Sequence, residues 1–475
     1  MDDRQGVPPE STGHDRTPII VAIGASAGGI HALQNFFDVI PERSGAVFVV
    51  VVHLDPQHRS ELPQILSART RMPVVAVEGR VELKADHVYV IAPDRRLQLI
   101  DHEIMAAPFD EPRGHRSPID QFFRSMAEHL GDGFAVILSG AGSDGAIGVR
   151  AVKESGGIIL VQDLNEAEYS SMPRAAIATG VADFVLPVRD LVGRLTELIA
   201  FKKAAPATDW GAFDGDSLTR VLAHLRARTG HDFSKYKRST VLRRVARRMQ
   251  VARSDSLKDY YDVLHNSLDE AQALLGDLLI SVTIFFRDKK AFEALKTHVL
   301  PELFASRDPA ETVRVWVAGC ATGEEAYSIA MLLLEEASKH PLRPPIQVFG
   351  SDLDARALSV AREGRYPAAI QSDVGEERLR RFFTRDGEGY RVRQELRDTV
   401  LFASHDLLKD PPFSHVDLIS CRNLLIYLDR DLQEQVCSTF YYALNHDGFL
   451  FLGASEMADN PTGVFRALDR NLRIY

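Results

Sequence analysis

Two blocks of short, continuously apolar runs constrain this chain more than any other feature. "PIIVAIGA", "AVFVVVVH", "VYVIAP", "FAVILSG" and "GIILVQD" form the first block; "VRVWVAG", "IQVFGSD", "TVLFASHD", "VDLISC" and "GFLFLGAS" form the second. Each is apolar on successive residues, which suits strands buried on both faces of a parallel sheet, and helix-like stretches separate them. Between the blocks, "KKAAPATDWGAFDGDS" reads as a linker. Residues from about 216 to 300 then show helical periodicity without a strand run. A chain of 475 residues also exceeds what one compact core organises. The expectation is an α/β protein with two doubly wound domains and a small all-helical domain before the second. The boundaries read as a disordered tail at 1–16, an α/β domain at 17–203, a linker at 204–215, the helical domain at 216–300 and the second α/β domain at 301–475.

Charge and composition exclude some functions. A formal net charge of -10 argues against general affinity for nucleic acid. The three cysteines, Cys320, Cys421 and Cys437, have no paired Cys/His spacing, which fits a reducing compartment and offers neither a metal site nor a disulfide framework. The polar opening "MDDRQGVPPESTGHDRTP" is not a signal peptide. No apolar run approaches the roughly 20 residues a membrane span needs, so a cytoplasmic location without membrane insertion is expected.

The first chemical motif is "VAIGASAGGIHAL". It lacks G-x-G-x-x-G, and no acidic residue closes the next strand run, so a dinucleotide site is weakly supported. A strand-to-helix turn of small residues exposes the Ser26 hydroxyl beside helix N-terminal N–H groups suited to an oxyanion. A packing turn with an idle serine is the plainer alternative. The second strand run ends directly in His53, and "FAVILSG" leads into "AGSDGAIG", which carries Asp144. Ligands of open parallel sheets bind beyond the carboxyl ends of the strands. A serine, a histidine and an aspartate placed there match the nucleophile, base and orienting carboxylate of a triad. Taken singly, His53 also reads as a core histidine and Asp144 as a helix cap. His58, His87 and His115 are competing bases of lower rank.

"GASAGG", "VVHLDP", "LSGAGSDGAIG" and "MPRAAIATG" resemble the catalytic domain of the chemotaxis receptor methylesterase family, CheB, from about Ile19 to Leu198. The resemblance implies Ser26 as nucleophile, His53 as general base and Asp144 as its orienting carboxylate. It implies a glutamate methyl ester on a receptor helix as substrate, with glutamine deamidation as a related reaction. Ala141 stands where the family often has Met, so an oxyanion contribution from this position would come from its backbone. A short tail precedes Thr17 where that family usually carries a phosphorylatable receiver domain.

The second block opens with "VRVWVAGCATGEEAYSIAMLLLEEA", a strand, a glycine turn and a helix. Glu324 and Glu325 would put two carboxylates where a pyrophosphate would sit, which disfavours a dinucleotide and suits a cofactor bearing a positive amino group. Asp352 closes the next strand, where an acid holds ribose hydroxyls in nucleotide-binding folds. These residues point to S-adenosylmethionine, with first-turn helix acids and a helix cap as the alternative.

"ISVTIFFRD", "VWVAGCATGEEAYSIAM", "FGSDLDARAL", "RVRQELRDTVLFASHDLL" and "CRNLLIYLD" resemble the chemotaxis receptor glutamate methyltransferase family, CheR, from about Ser217 to Tyr475. The resemblance implies that Ser281, Thr283 and Arg287 line the site from the helical side. Glu325, Asp352, Asp406, Leu407, Cys421 and Arg422 would hold S-adenosylmethionine and its product S-adenosylhomocysteine, and Arg287 and Tyr427 would lie nearest the transferred methyl. Ser281 stands where the family usually has Asn. The segment between Arg365 and Val400 corresponds to a β-subdomain with which some members dock a receptor's tail peptide, and "DGEG" is a turn signal within it.

The stretch 239–253, "STVLRRVARRMQVAR", places Val241, Leu242, Val245 and Met249 on one stripe with Arg243, Arg244, Arg247 and Arg248 largely off it. A solvated cationic face is the ordinary reading of such a run. With the resemblance, an acidic helix of a methyl-accepting chemoreceptor or similar signalling protein becomes its expected partner. The chain thus reads as one polypeptide with two opposed activities: a protein-glutamate methylesterase followed by a protein-glutamate O-methyltransferase. The competing readings are a signalling or docking module with weak catalysis, and a nucleic-acid methyltransferase.

Overall fold

The computed structural model describes residues 18–54, 60–109, 116–204, 215–305, 308, 311–341, 343–458 and 463–475. The expected tail, most of the expected linker, His58 and His115 lie outside these. In the first α/β domain a seven-stranded sheet runs Phe184–Leu186, Ile158–Gln162, Phe134–Ile137, Ile19–Ala25, Ala46–Val52, His87–Ile91, Val74–Val77 from edge to edge. Every pairing in it is parallel. Ile19–Ala25 and Ala46–Val52 are almost wholly buried, as their unbroken apolar sequence requires. Helices Gly29–Val39 and Val188–Ala204 pack together, and Pro118–His129 packs with Ala146–Ser155.

Two features were not read from the sequence. The edge strands Val74–Val77 and Phe184–Leu186 are short and mostly half-exposed, so they carry no long apolar run. A separate antiparallel sheet of Arg80–Glu82, Glu103–Pro108 and Arg95–Ile100 follows from local hairpin pairing.

Helices Gly215–Thr229, Arg238–Ala252, Leu257–Asn266 and Leu268–Leu279 share a core around Val221, Leu225, Val245, Tyr260 and Leu274. The second α/β domain has a five-stranded parallel sheet in the order Val400–Ser404, Ile346–Asp352, Val313–Ala318, Val416–Cys421, Leu444–Leu452. Beside it, Arg365–Pro367, Gly389–Val392 and Phe383–Asp386 form a small antiparallel sheet, and "DGEG" is its hairpin turn.

The basic helix Arg238–Ala252 departs from its sequence reading. Arg244, Arg247 and Arg248 are buried, and only Arg243 of the four is exposed. The Arg248 guanidinium donates to both carboxylate oxygens of Glu270 at 2.9 and 2.5 Å. Arg247 donates to Asp183 of the first domain at 2.5 Å and to Asp277 of its own. Lys153 of the first domain completes the cluster, 3.1 Å from Asp183 and 2.8 Å from Asp277. The face expected to await an external partner is therefore turned onto the first domain. Burial pushes the Asp277 carboxyl up, yet Arg247 and Lys153 outweigh it and hold it down at about 2. A second buried pair, Arg150 with Glu324 at 2.9 Å, ties the first domain to the second α/β domain.

Removing one partner from such a cluster strands an unpaired buried charge. Arg247→Ala is expected to destabilise the folded chain by about 3–5 kcal/mol, read as a lower urea midpoint. An unchanged midpoint would mean that water reaches the cluster.

Candidate active sites

The register of the first sheet builds its site. Ala25 pairs with Val52, so the next residues, Ser26 and His53, leave adjacent strands level with each other. The strand on the other side of Ile19–Ala25 is Phe134–Ile137, which leads to Asp144. The chain turns at Gly28, whose φ of 68° lies in the left-handed region, and a helix starts at Gly29. A Cβ at Gly28 would also lie 2.8 Å from the Glu168 carboxylate.

The three side chains meet. The Ser26 hydroxyl is 3.1 Å from His53 Nδ1, and His53 Nε2 is 2.8 Å from Asp144 Oδ2. If Nε2 carries the proton, it donates to the carboxylate and leaves Nδ1 to accept from the serine. Asp144 also accepts from the backbone N–H groups of Ile119 at 3.0 Å, Asp120 at 2.9 Å and Gly145 at 2.9 Å. The start of helix Pro118–His129 thus fixes the carboxylate in place. Asp120 lies fully buried beside it, and burial, reinforced by the Asp144 charge, pushes its carboxyl well above the usual range. His53 is 37% exposed, so the crevice is open to a substrate. His87 starts its strand, at the opposite end from Ser26, and its ring meets the carbonyl of Ala85.

The second site is a cavity between the helical and second α/β domains. Ser281, Thr283, Arg287, Glu325, Asp352, Asp406, Leu407, Arg422 and Tyr427 all line it. Asp352 ends its strand and accepts from the N–H groups of Ala321 at 2.7 Å and Asp354 at 2.8 Å; burial still pushes its carboxyl up to about 6. Glu325 accepts from the Ser420 hydroxyl at 2.7 Å and lies 3.6 Å from the Arg422 guanidinium. Asp406 has Lys409 at 3.1 Å, and the Ser281 hydroxyl donates to Asp354 at 2.7 Å. Burial pushes the Tyr427 phenol up to about 12, so it is neutral at physiological pH. Ile280, Ala321 and Asn423 line the same cavity with φ of 50°, 47° and 60°, a strained backbone for residues other than glycine.

Two expectations need correction. Glu324 does not face the cavity: it is turned to the Thr322 hydroxyl at 2.6 Å and to Arg150 of the first domain. One glutamate, not two, meets the glycine turn. Cys421 is not a lining residue either: its side chain is fully buried in the core behind the cavity, and burial pushes its thiol well up. Tyr236, His405 and Glu154 line the cavity without having been singled out. Tyr236 stands just ahead of the basic helix, where no periodic signal marks it. Glu154 comes from the first domain, which no local pattern could announce.

The donor set suits S-adenosylmethionine. Gly319, with φ of 72°, opens the backbone to a ligand, and four carboxylates face the same space, Glu154 paired with Arg287, Glu325 near Arg422, Asp406 near Lys409, and Asp352. Asp352 at the strand end would suit ribose hydroxyls, and Glu325 and Asp406 a positive amino group. Among the described residues no His, Cys, Asp and Glu cluster is arranged to hold a metal, and no helix is long and apolar enough to cross a membrane.

Family models match three consecutive stretches of the chain: CheB methylesterase over residues 21–195, the all-alpha domain of CheR methyltransferase over 216–279, and its SAM binding domain over 281–474. An uncharacterized 104.1 kDa protein of Rhodobacter capsulatus is 38% identical over 439 residues, which cover 87% of this chain and 46% of that protein. The chain therefore spans less than half the length of this relative. A chemotaxis protein methyltransferase of Salmonella typhimurium is 36% identical over 258 residues, 52% of this chain and 85% of the relative. The crystal structure of the Thermotoga maritima CheB methylesterase catalytic domain is 29% identical and covers 38% of this chain and 100% of its own, with a TM-score of 0.36.

Ribose hydroxyls donate more strongly to an ionised Asp352 than to a protonated one, which keeps only an uncharged acceptor. With this carboxyl at about 6, S-adenosylhomocysteine affinity should be full above about pH 7 and fall by up to about tenfold per pH unit below 6. Asp352→Asn should weaken binding by roughly 10- to 100-fold and remove that dependence. Titration calorimetry across this range decides; a flat profile in the unsubstituted protein would place Asp352 away from the ribose.

Proposed function

The chain belongs to the CheB methylesterase and CheR methyltransferase families, one after the other, and we propose that it removes and adds methyl groups on glutamates of a methyl-accepting chemoreceptor or similar signalling protein. The observation that carries the esterase half is the continuous contact from Ser26 through His53 to Asp144. Ser26 attacks the ester carbonyl while His53 takes its proton; the same imidazole then protonates the departing methoxide, and methanol leaves. Water, deprotonated by His53, hydrolyses the acyl-serine. Backbone N–H groups at the start of helix Gly29–Val39 are the nearest candidates for the oxyanion. Glutamine deamidation would use the same steps, with ammonia as leaving group.

In the transferase half, Glu325, Asp352, Asp406 and Leu407 would hold S-adenosylmethionine, and Ser281, Thr283 and Arg422 would complete its enclosure. The bound cofactor supplies an electrophilic methyl group. A glutamate carboxylate is already a nucleophile at neutral pH, so the protein has no proton to remove and works by positioning. Arg287 orients that carboxylate, and the neutral Tyr427 phenol lies beside it. The site lies on a chain that meets its receptor in the cytoplasm.

With labelled S-adenosylmethionine and a receptor preparation, base-labile label is expected on the receptor, released as methanol. Ser26→Ala should raise the label above the intact chain, and Asp144→Asn should slow ester hydrolysis by about 10⁴-fold. Equal labelling by the intact chain and the serine variant would remove the esterase half of the reading. Base-stable label on RNA or DNA would favour a nucleic-acid methyltransferase.

A further inference from the structure

Helix Ala146–Ser155 belongs to the esterase domain, yet its last turn ends inside the transferase. Arg244 of the basic helix donates to the carbonyls of Lys153, at 2.9 Å, and Glu154. Arg247 donates to the carbonyl of Gly157 at 2.9 Å. The carbonyls of Lys153 and Glu154 lie at the negative end of the helix, where cations bind best, and Gly157 follows just beyond it. The Glu154 side chain then extends into the cofactor cavity and meets Arg287 Nη2 at 3.2 Å. Its charge also acts on the Tyr427 phenol.

The features proposed to receive a receptor glutamate are the basic helix, Arg287 and Tyr427. The basic helix and Arg287 contact one helix of the same chain, and that helix presents one carboxylate to Arg287. We propose that Glu154 is an internal occupant of the acceptor-glutamate site, so that the docked esterase domain closes the transferase to its receptor. This inference rests on the reading of Arg287 as the group that orients the acceptor.

Occupancy at Arg287 is direct competition. Glu154 holds Arg287 Nη2, and a receptor carboxylate that takes that nitrogen displaces Glu154. The contact is also releasable. Glu154 and Arg287 are 21% and 27% exposed, so water can take over both charges without leaving either stranded.

The test is binding without turnover. A fluorescent helical peptide carrying one acceptor glutamate, and its twin with alanine there, are titrated against the intact chain, Glu154→Asp and Glu154→Gln, all saturated with S-adenosylhomocysteine. Thermal unfolding of the same samples checks that each variant is folded, and the half-buried position should tolerate both changes. The glutamate peptide is expected to bind Glu154→Gln about tenfold or more tightly than the intact chain. The shorter Glu154→Asp, which withdraws the carboxylate but keeps its charge, should fall between. Equal, glutamate-dependent binding to all three proteins would overturn the inference and leave the acceptor reading standing. If no protein distinguishes the glutamate peptide from its twin, the acceptor reading fails and the inference with it.

Discussion

The arrangement depends on a buried four-charge cluster: Arg247 between Asp183 and Asp277, with Lys153 against both carboxylates. Two cations and two anions balance, so no net charge is carried into the interface. Desolvating each ion costs several kcal/mol, and mutual attraction offsets this only when all members are in place. A cluster of this kind contributes little net affinity compared with an apolar patch. It does demand one geometry, because a shift of either domain strands several charges at once. Domains joined in this way hold a single register when closed and separate at modest cost when something competes for the contact.

That register brings the two sites to opposite ends of one helix. Asp144 lies two residues before helix Ala146–Ser155, with Gly145 as the left-handed cap at φ of 92°. Glu154 lies in its last turn, and Gly156 ends the helix at φ of 105°. At 1.5 Å per residue the helix separates the triad's carboxylate from the transferase cavity by roughly 15 Å. The two ends are held differently. Asp144 is fixed by the start of helix Pro118–His129 and by Gly145, all within the esterase domain. The Glu154 carbonyl accepts from Arg244 and its side chain pairs with Arg287, both from other domains. Undocking therefore frees the Glu154 end and leaves the triad's supports in place.

The strands were legible because burial on both faces removes the polar alternation and leaves unbroken apolar runs. Val74–Val77 and Phe184–Leu186 escaped because edge strands are short and half-exposed. Site residues at strand ends, such as Ser26, His53 and Asp352, could be read because in a parallel sheet the position itself has meaning. Cys421 and Glu324 stand in the same motifs, but adjacent residues at a strand end or helix start point to different sides, and motif position does not say which. The basic helix misled for a related reason. Its arginines look like a solvated face, and only a partner distant in sequence, with Asp183 and the carbonyls of Lys153 and Glu154, turns that face inward. In "AVKESGG" the glycines announce where a helix stops, and nothing in those residues says where its last glutamate will reach.

Two opposed activities on one chain waste cofactor if both run at once, and the docked geometry bears on that directly. With the domains closed, His53 remains open to solvent while Arg287 is engaged, so on the proposed reading the closed chain would remove esters and not form them. A contact closed a hundred to one weakens receptor binding at the transferase about a hundredfold, and leaves the esterase untouched. Opening need not involve the esterase domain's own chemistry. A receptor at high local concentration can displace Glu154 by mass action, because it offers the same carboxylate to the same guanidinium. The balance between adding and removing methyl groups would then follow the density of receptor glutamates around the chain, set by competition for Arg287.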